Sequence, residues 1–234
     1  MRIAVLQHTP GAGTGAMASW LGDHEVAHYR LFESAELPAL DDFQLLILLG
    51  GSLSVHDEVK QPWMAAEKRL VHQALLARKR VFGTGLGAHM LAEALGARIS
   101  ACPQGARIGW WPLEKYAQSQ RSPVGRMLPQ RLMAMHWQHE CCTLPHGAVP
   151  LYGVGVDDLQ GFVWQERAIG LLCHLECDAA GVEQRLAEDG ADLKTAGCVQ
   201  DANSIRDDSH HACSANATLQ RLLDYLSGAH AHMT

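Results

Sequence analysis

The sequence predicts an α/β fold built on a doubly wound, mostly parallel sheet, and three observations predict it. Three short stretches in the first half are continuous apolar runs, helical patterns lie between them, and the second half turns to strands without long helices. Continuous runs mark strands buried on both faces under covering helices, whereas a half-exposed strand alternates apolar and polar residues.

In chain order, "RIAVLQ" (2–7), "LLILLG" (45–50) and "RVFGTG" (80–85) read as those buried strands. "GAMASWLGD" (15–23) and "WMAAEKRLVHQALLARK" (63–79) carry apolar residues at helical spacing and supply the crossovers. Beyond residue 105, "ARIGWWPLE" (106–114), "RLMAMHW" (131–137), "GFVWQ" (161–165) and "AIGLLCHLE" (168–176) are set apart by turn-like intervals, so they read as hairpins or mixed-sheet strands. Helices near 179–188 and 216–228 close the chain, and the polar stretch 189–213 is expected to be loop-rich. No internal repeat or low-complexity tract interrupts this order.

Composition narrows the function classes. A chain of 234 residues with 47% hydrophobic content can bury one substantial core, so one domain spanning 1–234 is expected. Lys+Arg 19 against Asp+Glu 25 gives a formal charge of -6 without long runs, which leaves no basic stripe to neutralise phosphates and argues against nucleic acid as a partner. The opening "MRIAVLQHTP" holds an apolar run too short for a signal segment or a bilayer span, so a cytoplasmic protein with no membrane partner is expected. In that compartment the seven cysteines should be mostly reduced, and neither their odd number nor their spacing suggests a disulfide framework.

Three stretches carry candidate chemistry. "LLGGSLSVHDE" (48–58) sets Gly50 and Gly51 directly after a strand, where backbone amides can turn toward a ligand, although a tight turn capped by Ser52 or Ser54 explains the same pair. "GTGLGAH" (83–89) has the form of a strand-turn-helix elbow, which exposes its central residue, Gly85, and aims the amides of a helix N-terminus at one point. In "CHLE" (173–176), His174 and Glu176 are two apart and share one face of a strand, with the carboxylate placed to orient the imidazole.

Together these motifs resemble the class I glutamine amidotransferases, in particular the single-domain proteins similar to the glutaminase half of GMP synthase. The family's G-G-P-x-S-V-x-D-E, G-I-C-L-G-A-Q, H-W-H-G-D and G-x-Q-F-H-P-E find counterparts in "GGSLSVHDE", "GTGLGAH", "HWQHE" and "GLLCHLE", in the same order, and "IGWWPL" resembles a further landmark. The resemblance covers essentially the whole chain and implies a flavodoxin-like doubly wound sheet with an additional small antiparallel sheet.

Carried over residue by residue, it implies a damaged site. The catalytic cysteine falls on Gly85, so the thiolate that would attack a glutamine carboxamide is lost. The elbow glutamine that helps hold substrate falls on His89, and the H-G-D segment becomes Gln138, His139 and Glu140. His174 and Glu176 match the catalytic pair, and the backbone amides of Gly51 and Leu86 would be the oxyanion donors. Thr84 and Cys173 should point away from the site, and Cys141 and Cys142 read as small reduced side chains near its rim.

The expected function is therefore an amidotransferase-like protein, catalytically silent, that binds a small glutamine-like or anionic ligand or a partner. The alternative is an active enzyme on the same fold, either a glutaminase with displaced chemistry or a hydrolase using water activated by His174. A synthetase partner would have to be a second protein, because this chain contains no synthetase domain. A third reading, metal at His136, His139, Cys141 and Cys142, suffers from an H-x-x-H spacing that suits a helix better than the strand and loop expected there, so no metal and no cofactor is assigned.

Overall fold

Successive side chains of a strand go to opposite faces of its sheet, and in the first half of this chain both faces are apolar. The computed structural model describes residues 1–155 and 158–228. In β1 (Arg2–Gln7), Ile3 and Val5 enter one core layer while Ala4 and Leu6 enter another. After α1 (Met17–Leu21) and β2 (Glu25–Arg30), β3 (Leu45–Leu48) divides in the same way, with Leu45 and Ile47 on one face and Leu46 and Leu48 on the other. Next come α2 (Trp63–Leu76), β4 (Arg80–Thr84) and α3 (Leu86–Ala94). The long apolar runs of the sequence thus reflect burial on both sides.

The chain continues through β5 (Ile99–Ala101), β6 (Ala106–Lys115), α4 (Pro123–Met127), β7 (Arg131–Gln138), β8 (Glu140–Cys142), β9 (Ala148–Gly153), β10 (Leu159–Trp164) and β11 (Ala168–Leu171). It closes with α5 (Ala179–Asp189), β12 (Gly197–Val199), α6 (Ala202–Asp207) and α7 (Ala212–Ser227). Among the described residues, ten strands form one mixed sheet in the order β12-β6-β9-β10-β11-β4-β3-β1-β2, with β7 also on β6. The half running from β2 to β11 is parallel. Antiparallel β9 and β10 then join it edge to edge, so most of the second-half strands extend the main sheet, and the small separate sheet is the antiparallel pair β5–β8.

Two expectations need correction here. The stretch 189–213 is not simply loop: it holds the short strand β12, helix α6 and two 3-10 turns, and Ile205 of α6 is fully buried. Five of the seven cysteines are free, but Cys141, expected to be reduced, forms a disulfide with Cys102. Pairing of β5 with β8 brings their Cα atoms to 5.0 Å across a sequence separation of 39, a contact that local spacing cannot foretell. No helix among the described residues is long and apolar enough to cross a membrane.

The parallel arrangement fixes where a site can form. β1, β3, β4 and β11 all run the same way, so their carboxyl ends emerge along one edge, where open α/β sheets place their ligand crevice. The residues that follow those ends are His8, Gly50–Gly51, Gly85 and, three beyond β11, His174.

Candidate functional site

Gly85 is the tip of the turn between β4 and α3. Its φ of 53° and ψ of −117° suit glycine, and its amide is anchored to Leu171 O at 2.9 Å while its carbonyl receives His89 N at 3.1 Å. The turn is thereby locked to the end of β11 on one side and to the first helical turn on the other.

His174 reaches the tip by a route other than the expected strand. β11 ends at Leu171, and His174 makes an isolated antiparallel bridge to Met135, its amide donating to Met135 O at 2.8 Å. Glu176 follows in a turn, so the shared-face argument does not hold, yet the two side chains meet, with His174 Nδ1 2.7 Å from Glu176 Oε1. Thr84, expected to point away, supplies the missing support: its hydroxyl lies 3.1 Å from each Glu176 oxygen. Burial alone would raise the Glu176 pKa, but the charge and hydrogen bond of His174, with help from Thr84, hold it below the ordinary carboxylate value.

The imidazole of His174 lies against two glycines. A Cβ on Gly50 would stand 3.0 Å from His174 Cε1, and a Cβ on Gly85 would stand 2.8 Å from Cε1 and 3.4 Å from Nε2. A side chain at position 85 would therefore begin in contact with the histidine.

A second histidine–glutamate pair supports the same loop from behind. His8 Nε2 is 2.7 Å from Glu67 Oε1, both side chains are fully buried, and His8 Nδ1 is 3.2 Å from Gly50 O. Trp63 stacks on His8 with ring centroids 5.7 Å apart. Burial opposes the charged form of His8, but the Glu67 carboxylate and the carbonyls of Gly50 and Leu49 outweigh it and raise the pKa above the usual histidine value. The sequence signal was present: Glu67 stands on the apolar face of α2, three residues from buried Met64 and from buried Leu70.

A cavity of about 410 Å³ is lined by Gly51, Gly85, Leu86, His89, Gln138, His139, Glu140 and His174, which brings the expected site residues together, with Glu176 behind the imidazole. His89 is buried, its Nε2 has no partner among the described residues, and burial lowers its pKa to about 4, so it is neutral. Gln138 is occupied on both ends of its amide, donating to Glu140 O at 2.9 Å and accepting from Gln160 at 2.9 Å. On the rim, Ser54 donates to Glu140 at 2.8 Å, and Asp192 accepts from Trp137 Nε1 at 2.9 Å and lies 3.0 Å from His139.

None of the thiols lines this cavity, although Cys177 borders a neighbouring one with His174 and Glu176. Cys173 faces the core and is raised by burial, while burial pushes Cys142 and Cys177 each up to about 12. The proposed metal group of His136, His139, Cys141 and Cys142 does not assemble: His136 is fully buried, His139 is exposed against Asp192, and Cys141 is taken by its disulfide.

No family model matches the chain. It is 27% identical over 240 residues to the glutamine amidotransferase-like protein YfeJ of Salmonella typhimurium, covering 99% of each chain. A glutamine amidotransferase from Methylobacillus flagellatus superposes with a TM-score of 0.88 at 25% identity, covering 97% of this chain and 94% of that one. Another, from Thermotoga maritima, gives 0.87 at 24% identity and covers 97% of both.

Proposed function

We propose that this chain, glutamine amidotransferase-like in fold and along the full length of its relative, is a silent member that binds a small carboxylate-bearing ligand in the His174 cleft. The observation that carries this reading is the contact of an oriented imidazole with Gly85. Glutamine hydrolysis in the family requires a thiolate between the imidazole and the oxyanion amides to attack the carboxamide carbon. Here that position is backbone, and the buried thiols described above stay protonated at neutral pH.

What remains suits an anion. The first amides of α3 lack intrahelical acceptors, and the helix dipole favours negative charge at this end. A ligand carboxylate above Gly85 would accept from the amides of Leu86 and Gly51 and face the Nε2 of His174, whose other nitrogen is fixed on Glu176.

Purified protein should release no ammonia from glutamine, and glutamate, glutamine or simple dicarboxylates should raise its melting temperature through a site that His174→Ala removes. Ammonia release that depends on His174 would overturn the reading in favour of an active hydrolase. Gly85→Cys tests the same assignment from the other side. Its positive φ and the 2.8 Å approach to His174 cost on the order of 1–3 kcal/mol, but a folded variant should gain a fast iodoacetamide-reactive thiol and weak glutaminase activity, improved by adding His89→Gln. A folded double variant with neither property would show that the His174–Glu176 pair is not placed to serve a nucleophile.

A further inference from the structure

The short segment joining α6 to α7, expected from sequence to be loop, is a 3-10 turn over Asp208–His211. It brings one ligand atom from each of Asp208, His210 and His211 within 4.8 Å of one another. Zinc bonds of about 2.0–2.2 Å to nitrogen and oxygen place tetrahedral ligand atoms roughly 3.3–3.6 Å apart, a closure that small rotations of partly exposed side chains would supply.

Two of the three side chains are held by a hydrogen bond, and the third lies beside aromatic rings. Gln200 Nε2 lies 3.2 Å from Asp208 Oδ2, and Gln200 is itself fixed to the sheet, accepting from Trp110 N at 2.8 Å and donating to Trp110 O at 3.4 Å. His210 Nδ1 lies 2.9 Å from Asp207 O. A carbonyl can only accept, so Nδ1 carries the proton and Nε2 keeps the lone pair that a metal needs. The ring of His211 is 4.0 Å from that of His210 and 6.2 Å from that of Trp110. Backing of this kind, with a backbone carbonyl behind an imidazole and an amide behind a carboxylate, is how metal ligands are oriented.

We propose that Asp208, His210 and His211 form a surface site for a first-row divalent cation of the zinc class, with Gln200 as its outer support. Two imidazoles and one carboxylate suit zinc and its neighbours in the series, whereas magnesium and calcium prefer all-oxygen sets. Carbonyls at the C-terminal end of α6 favour a cation there and the N-terminal end of α7 opposes it, so binding depends on the ligands themselves. The bound ion would clip the start of α7 to the end of α6. Because α7 buries Leu219, Leu222, Leu223 and Leu226, the clip would reach into the core.

The test titrates zinc chloride into metal-free full-length protein carrying His230→Ala and His232→Ala, which removes the imidazoles of the C-terminal tail, with calorimetry and thermal shift as readouts. One zinc per chain and a saturable rise in melting temperature are expected, with no response to magnesium or calcium. His210→Ala and His211→Ala should each abolish measurable binding while leaving the metal-free melting temperature unchanged. Gln200→Leu should weaken binding about tenfold or more, and His139→Ala should have no effect. Absence of binding, or binding unchanged in the His210→Ala/His211→Ala double variant, would overturn the proposal.

Discussion

Gly50 lies between two histidine–glutamate pairs of the same chemistry and the same 2.7 Å closure. On one side, His8 and Glu67 are sealed, with no exposed side-chain surface, and His8 reaches the Gly50 carbonyl. On the other side, His174 and Glu176 border the cleft, and the ring of His174 faces Gly85. The difference teaches that a paired imidazole is not in itself a sign of catalysis. The sealed pair can only hold the diglycine loop in place, whereas the open pair presents a nitrogen to whatever enters.

The comparison is most sharply broken by removing one partner of the sealed pair. Glu67→Leu should leave His8 buried without its counter-charge and cost about 3–5 kcal/mol, read by urea denaturation. His8→Leu/Glu67→Leu should recover much of that loss, because an apolar pair of similar size needs no charge compensation.

Reduction of Cys102–Cys141 should act on the open side. The bond closes a separation of 39 residues and ties down β8, whose Glu140 and neighbouring Gln138 form the cavity wall. Loss of about 2–4 kcal/mol in global stability is expected, together with weaker ligand protection at His174. The same treatment should leave the stability difference between wild type and Glu67→Leu unchanged.

Thr84→Val removes a hydroxyl from Glu176 without changing the packing volume much, and should cost about 1.5–3 kcal/mol. It should also weaken carboxylate binding by letting the open imidazole turn. Ligand titration of the folded variant checks it.

The smallest expected effect is in the pH profile, where the two pairs act in opposite directions. His8 has a raised pKa, so its contribution is complete below the unfolded value of 6.5 and is lost as pH rises through the higher folded value. Glu176 has a lowered pKa, so its contribution is present above the unfolded value of 4.5 and is lost as pH falls through the lower folded one. Denaturation midpoints should therefore lose their alkaline slope in His8→Gln and their acid slope in Glu176→Gln.

How much of this was legible depended on whether the signal was local. β1, β3 and β4 stood out because burial on both faces leaves unbroken apolar runs. β2, "EVAHYR", did not, because as an edge strand it is largely exposed and polar. His174 and Glu176 were found by motif for a local reason that is wrong: a bridge to Met135 and a hydroxyl from Thr84 bring them together, not strand alternation. Thr84 was set aside because only the tertiary path of residues 172–176 brings the carboxylate to it. The disulfide depends on a pairing 39 residues long, beyond the reach of spacing.

The elbow itself contains three glycines with different freedom to change. A side-chain carbon on Gly83 would stand 2.5 Å from Gly87 O, and one on Gly87 would stand 2.2 Å from Leu48 O, both obstacles being main chain that cannot retreat. At Gly85 the nearest obstacle is the end of the His174 imidazole at 2.8 Å, followed by Gly50 Cα at 3.3 Å, and the φ of 53° strains any side chain placed there. In evolutionary terms, the turn that shapes the cleft is locked by main chain at 83 and 87, while a side chain at 85 carries a strain on the order of 1–3 kcal/mol and no outright clash with main chain. Two of the four glycine codons lie a single base from a cysteine codon, so a glycine–cysteine exchange at 85 is a short step on that scaffold.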